Sequence, residues 1–262
     1  MSKRVKVAVC QYDVPMQAEP AKVKLIEIAG RAKKEGVQLL VAPETAVSDL
    51  VDTKKDETDY LPVVQEIARE TKFAIATSMY RLESGGYFNH GYVIGPRAEI
   101  WVEHKKLYPA PPEIEDGVLS GSSLEVADTP LARMGMLVCK DTFTRYSHYL
   151  YEKLGAEKVE IICVPTWSLG WNKTETGKYS REYIRTFLEY GAFLTRSFIL
   201  ASGTLNQRFG SYGRAMIISP IRGVIRMGST DKEELLVEEI DLGEVEDSRA
   251  WDEKWQPKER LA

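Results

Sequence analysis

Three residues in this chain combine a reactive side chain with a place at the exit of an apolar run: Glu44, Lys106 and Cys139. Glu44 follows Leu39-Leu-Val-Ala-Pro43, Lys106 closes the hairpin segment Trp101-Val-Glu-His104-Lys105, and Cys139 ends Gly135-Met-Leu-Val138 just before Lys140 and Asp141. Together they would make a nucleophilic site. A carboxylate can take a thiol proton, an ammonium can stabilise a thiolate and a developing oxyanion, and a thiolate attacks a carbonyl carbon. Each also has a plainer reading. A cysteine closing a buried strand is usually a small inert hydrophobe, a glutamate at a strand exit can simply favour a helix N-terminus, and a lysine in a basic triplet is by default a solvated charge. None of the three is near another in sequence, so only the fold can bring them together.

The elements that must do so alternate. Val5–Gln11 reads as a first strand. A helix over Lys22–Lys34 is predicted from Val23, Ile26, Ile28, Ala29 and Ala32, with Gly36 as its stop, and Val37–Pro43 is a second, buried strand. A helix over Tyr60–Glu70, a strand over Phe73–Ser78 and a hairpin of Tyr87–Ile94 with Glu99–Glu103 follow. Pro109–Ser123, rich in Pro, Gly, Ser and acidic residues, reads as a surface loop. The second half repeats the plan: strands at Arg133–Val138 and Val159–Val164, helices at Ser147–Leu154 and Arg181–Thr195, a strand at Ser197–Ser202, a hairpin of Ala215–Ser219 with Gly223–Met227, and a last strand at Leu235–Ile240. Continuous apolar strands between helices call for sheets covered on both faces. With no linker, the 262 residues are expected as one α/β domain, its core from about residue 5 to 242 and a charged C-terminal tail over 243–262 carrying Trp251 and Trp255. Ligands in such folds gather where strands end and loops diverge, which is where Glu44, Lys106 and Cys139 stand.

A net charge of -4 gives no electrostatic reason to expect nucleic acid or a membrane surface as partner. No stretch approaches a membrane span, and the apolar run at the start is too short and interrupted for a signal peptide. Three widely spaced cysteines, Cys10, Cys139 and Cys163, argue against a disulfide framework and for a reducing cytoplasm. The histidines, His90, His104 and His148, show no metal-site spacing.

Gln11, Ala42-Pro43-Glu44, Lys105-Lys106-Leu107-Tyr108-Pro109 and Val138-Cys139-Lys140-Asp141 occur in an order and at separations that resemble the nitrilase superfamily of carbon–nitrogen hydrolases. The similarity runs from about Val5 to Asp241 and takes in the hairpin of Asn89, the turn from Ser219-Pro220 to Gly223, and Glu238-Glu239-Ile240-Asp241-Leu242. The resemblance implies a four-layer α-β-β-α sandwich of two mixed sheets with helices on the outer faces. It also implies a triad of Glu44 as general base, Lys106 on the oxyanion and Cys139 as nucleophile. A second glutamate from the following loop is implied too. Leu119-Ser120-Gly121 resembles the family's Leu-Ser-Pro-Gly without its proline, and counting back from Leu119 points to Glu115, with Glu113 the competitor. The same resemblance suggests Lys140, Thr166 and Trp167 around the substrate, with Trp167 as pocket wall or core tryptophan; it also suggests a small amide or carbamoyl compound cleaved through a cysteine thioester with no metal or cofactor, and a homodimer. Arg145, four residues beyond Asp141, would bind a substrate carboxylate or simply pair with an acidic neighbour on the surface. Cys139-Lys140-Asp141 is nearer the Cys-x-Asp of amidases than the Cys-Trp-Glu of nitrile-cleaving members. Nitrile hydrolysis, acyl transfer and a catalytically silent binding protein of the same fold are the alternatives.

Overall fold

A computed structural model describes residues 3–47, 53–55, 57–167, 175–206 and 211–255. Its first strand, β1 (Arg4–Tyr12), shows why the sheets are covered on both sides. Successive side chains of a strand point to opposite faces. Val5, Val7 and Val9 enter one core, whereas Ala8, Cys10 and Tyr12 enter another.

The remaining strands are β2 (Leu39–Val41), β3 (Ala74–Glu83), β4 (Gly86–Ile94), β5 (Ile100–Lys105), β6 (Val118–Leu119), β7 (Val126–Asp128), β8 (Arg133–Met136), β9 (Ile161–Val164), β10 (Phe198–Ala201), β11 (Gly203–Thr204), β12 (Met216–Ser219), β13 (Gly223–Met227) and β14 (Glu234–Asp241). One sheet runs β11-β1-β2-β3-β4-β5, with β14 also paired to β1 and β6 to β4. The other runs β13-β12-β10-β9-β8-β7. Both are mixed: β1-β2-β3 and β8-β9-β10 are parallel, and the hairpins β3-β4-β5 and β12-β13 are antiparallel.

Helices α1 (Ala18–Lys34) and α2 (Leu61–Thr71) cover the outer face of the first sheet, and α4 (Ser147–Ala156) and α5 (Glu175–Thr195) cover that of the second. Val7, Val41, Val93, Met134, Met136, Ile161 and Phe198 meet in the core between the sheets. The result is the expected α-β-β-α sandwich. On α1 the buried stripe is Ala21, Leu25, Ile28, Ala29 and Ala32, while Val23 and Ile26, counted on that face from the sequence, are exposed. Gly36 takes φ +69° just past the helix, the left-handed C-terminal position that glycine fills without penalty.

Two expectations are corrected. Pro109–Ser123 is not all loop: it holds a five-residue helix, α3 (Pro111–Glu115), and β6. The segment from Gly243, expected as a charged tail without a core pattern, starts as α6 (Gly243–Trp255). Val245 is buried in the inter-sheet core, Arg249 donates to the Val159 carbonyl at 2.6 Å, and Asp252 pairs with Arg196 at 2.7 Å. One aliphatic anchor among charges leaves no apolar stripe to read, so the docking was invisible in the pattern. Residues 256–262 of the expected tail lie outside the described residues.

Candidate active site

The exits of three strands converge. Glu44 stands three residues beyond β2, Lys106 directly after β5, and Cys139 three residues beyond β8, so two elements of the first sheet and one of the second supply the reactive groups. Main-chain bonds lock the convergence. The Lys106 N–H donates to the Asn89 carbonyl at 2.9 Å, the Cys139 N–H to Pro165 at 2.9 Å, and the Glu44 N–H to Thr166 at 3.4 Å. Cys139 has φ +46° and opens a 3-10 turn, Cys139–Thr142. A non-glycine residue in that region is strained, by about 1–3 kcal/mol, and the sharp turn lifts the thiol out of the strand path. Thr142 Oγ1, donating to the Cys139 carbonyl at 2.7 Å, helps hold it there.

All three side chains are buried, and they touch. Lys106 Nζ donates to Glu44 Oε1 at 2.7 Å and to Glu113 Oε2 at 2.6 Å. The Cys139 thiol faces the Glu44 carboxylate and the N–H of Trp167, and that N–H lies 3.0 Å from Glu44 Oε2. Asn89 Nδ2 bridges the two carboxylates, 2.8 Å from Glu44 Oε1 and 2.9 Å from Glu113 Oε1. Tyr80 donates its hydroxyl to Glu113 at 3.1 Å, and the Ala110 N–H donates to Glu113 at 2.5 Å.

This wiring drives the two carboxyls apart in acidity. Burial raises Glu44, and the neighbouring Glu113 charge adds to the rise against the pull of Lys106. Burial would raise Glu113 too, but the Lys106 ammonium and donors from Ala110 and Asn89 outweigh it and hold that carboxyl below its ordinary range. Lys106 is pushed the other way: burial would lower it, and Glu44 and Glu113 together keep it firmly protonated. Burial, then the Glu44 charge, lift the Cys139 thiol, with Lys106 and the Trp167 N–H opposing. Two carboxyls whose environments separate them are the usual mark of divided acid and base roles. Here Glu113 is the charge that holds the lysine, and Glu44 is the carboxyl of raised pKa beside the thiol.

Of the residues expected around the triad, Glu115 is a correction. Positions two apart on a helix face different ways, and on α3 it is Glu113 that turns inward while Glu115 is exposed. Thr166 gives its hydroxyl to the Ser202 carbonyl, and what it offers the site is its own carbonyl, for Glu44. Arg145 is exposed and lies over the Tyr146 ring. Lys140 anchors its ammonium on the Pro109 carbonyl at 2.9 Å. Trp167 stands beside Glu44, half-buried, its ring against the core under α1 and α2. Tyr80 and Asn89 were missed. Asn89 had a signal, being a polar residue on the strand face that Gly91 and Val93 direct inward. Tyr80 had none, because a tyrosine in a strand is ordinary packing.

The family model described as carbon–nitrogen hydrolase matches residues 6–250. A nitrilase from Pyrococcus abyssi is 26% identical over 267 residues, covering 94% of this chain and 93% of that protein. An omega-amidase from Bos taurus is 23% identical, covering 83% and 82%. A fusion of nitrilase and fragile histidine triad parts from Drosophila melanogaster is 25% identical over 84% of this chain but only 50% of its own length. The chain thus spans about half of that relative, and about half, 51%, of an Arabidopsis thaliana nitrilase 26% identical over 64% of this chain. Among solved structures, a carbon–nitrogen hydrolase from Helicobacter pylori superposes with a TM-score of 0.84 at 16% identity, covering 98% of this chain and 96% of that one. A mutant of an amidase from Nesterenkonia sp., carrying the acetamide moiety of fluoroacetamide on its active-site cysteine, superposes with a TM-score of 0.76 at 16% identity, covering 96% and 97%.

Proposed function

The chain belongs to the carbon–nitrogen hydrolase family, and from that premise we propose that it cleaves the C–N bond of a small amide or carbamoyl compound through a thioester on Cys139. The observation that carries this reading is the buried Glu44 carboxylate, held by the Lys106 ammonium at 2.7 Å with the Cys139 thiol beside it. Glu44 takes the thiol proton as sulfur bonds to the amide carbon, and the carbonyl oxygen becomes an oxyanion. The Cys139 N–H is already given to Pro165, so the donors for that oxygen are Lys106 and the N–H of Lys140. Preorganised donors of this kind contribute about 3 kcal/mol each. Protonated Glu44 then hands its proton to the leaving nitrogen as the C–N bond breaks. Water enters, Glu44 takes one of its protons, hydroxide displaces the sulfur, and the thiolate recovers that proton. The acyl group leaves as a carboxylic acid.

The acetamide adduct of the Nesterenkonia amidase, an alkylation of its active-site cysteine, supports by analogy of fold a nucleophilic cysteine at this place. Asp141 two residues after the cysteine, where nitrile-cleaving members carry glutamate, favours amides over nitriles. Three free cysteines fit a reducing, cytoplasmic setting, and among the described residues no helix is long and apolar enough to cross a membrane. Exposed Tyr149 on α4, Tyr190 and Phe193 on α5 and Trp251 on α6 would let a second copy extend the sandwich as a homodimer. The test is ammonia or amine release from a panel of amides, carbamoyl compounds and nitriles, with Cys139→Ala as blank. Release from amides by the native chain alone supports the reading. Release from nitriles alone, or equal release by the blank, overturns it.

A further inference from the structure

Lys106 and Cys139 belong to different sheets, so something must fix the ammonium relative to the thiol across the seam. Asp141 spans it. Its carboxylate is fully buried and accepts four hydrogen bonds. Two come from the chain just after Lys106: the Leu107 N–H at 3.0 Å and the Tyr108 N–H at 2.8 Å, both to Oδ1. One comes from the residue before the nucleophile, the Val138 N–H at 3.0 Å to Oδ2. The fourth comes from His104, two residues before Lys106, whose Nε2 lies 2.9 Å from Oδ2. A carboxylate only accepts, so His104 carries a proton on Nε2. Its other ring nitrogen, Nδ1, is buried without a partner among the described residues.

The register explains how β5 reaches the second sheet. His104 lies opposite Gly91 on β4, with Val102 on the same inward face. A side chain on Gly91 would stand 2.3 Å from Met136 Sδ and 2.8 Å from Val138 Cγ2. The bare glycine therefore lets β8 close against the first sheet beside the histidine. An unpartnered buried nitrogen is destabilising, and an apolar residue facing this core would avoid it. The Nε2–H···Asp141 bond is what an apolar residue would forfeit.

We propose that His104 and Asp141 are a positioning pair: they tie the Lys106 segment to the Cys139 turn and so set the separation of ammonium and thiol on which acylation depends. This rests on the hydrolase reading for its consequence, not for its geometry. Neither residue touches substrate; both act through Lys106 and Cys139.

The experiment compares His104→Leu, which deletes the donor, with His104→Gln, whose amide restores an N–H at similar reach, and uses Asp141→Asn as a further variant. Two rates are read on protein shown folded by circular dichroism: carbamidomethylation of Cys139 by iodoacetamide, which needs no substrate, and kcat and KM on an amide found in the panel. Misplacement of a reacting group by about 1 Å can cost about a hundredfold. His104→Leu is expected to slow Cys139 labelling and kcat by about tenfold or more, with KM nearly unchanged, and His104→Gln to recover most of both. Folded His104→Leu with native labelling overturns the proposal, as does His104→Gln impaired as deeply as His104→Leu, which would make the histidine packing alone. Should His104→Leu fail to fold, Asp141→Asn labelled at the native rate is the overturning result. If no amide is turned over by the native chain, slowed labelling in His104→Leu with rescue in His104→Gln still upholds the pair while the hydrolase reading falls.

Discussion

Replacing Lys106 by methionine keeps most of the side-chain volume and removes only the ammonium, so it isolates what that charge does. Two carboxylate oxygens lie 2.7 and 2.6 Å from the single nitrogen, one from Glu44 and one from Glu113, and are therefore at most about 5.3 Å apart. At an effective dielectric constant of about 20, two unit charges at that distance repel by about 3 kcal/mol. That agrees with the roughly 3–5 kcal/mol lost when one member of a buried ion pair is deleted. Lys106→Met should accordingly lose about 3 kcal/mol of stability near neutral pH, a large part of an ordinary domain's reserve. The loss should shrink in acid. In the variant one carboxyl is held above its unfolded-state pKa, so the penalty exists where that group would be ionised and lifts as pH falls through the raised folded value. The assay is urea unfolding of variant and native chain at about pH 7.5 and about pH 5, compared as a difference, beside kcat/KM on an amide. Activity should fall by about 10²–10³-fold through loss of the oxyanion donor. Equal urea midpoints at both pH values with substantial residual activity would refute the placement of Lys106 between two charges.

Glu113→Gln should cost kcat heavily, because Lys106 loses one of its two anchors, whereas exposed Glu115→Gln should match the native chain; steady-state kinetics on both decide which glutamate supports the site. The pH profile of kcat/KM should fall on its acid side as Glu44 takes up a proton, above the ordinary carboxylate range because burial raises that group. In Glu113→Gln the same limb should move to lower pH, since the charge that helps raise Glu44 is gone; a limb that moves up would contradict the assignment. Gly91→Ala puts a methyl group against Met136 and Val138, and thermal unfolding should show a loss of about 1–3 kcal/mol.

The architecture was legible because the strands are apolar on both faces, and only a sheet with cover on each side accommodates that. Glu44, Lys106 and Cys139 were legible as three strand exits, but their meeting was expected only from the resemblance and from where ligands gather in such folds, since the contacts that join Glu44 to Thr166 and Cys139 to Pro165 are main-chain bonds that leave no trace in residue type. Glu113 and Glu115 could not be told apart because a five-residue helix within a run of prolines has no readable phase. His104 sat in view as one of three histidines and was set aside for lacking metal spacing. Its use is to donate to a carboxylate on the other sheet, a relation fixed by the register of β5 against β4 rather than by any local motif. α6 was hidden for a simpler reason: Val245 and a few ion pairs dock it, without an apolar stripe.

The central claim is that Cys139 carries the acyl group. A turned-over amide, mixed with native protein, acid-quenched during turnover and followed by intact mass and peptide mapping, tests it directly. The account predicts one acyl-sized increment per chain, on the peptide holding Cys139, absent from Cys139→Ala. Cys10 and Cys163 should stay unmodified, since both thiols are wholly buried within strands β1 and β9, whereas Cys139 keeps some exposure at a strand exit. An adduct mapped to either of them, or turnover by Cys139→Ala, would contradict it.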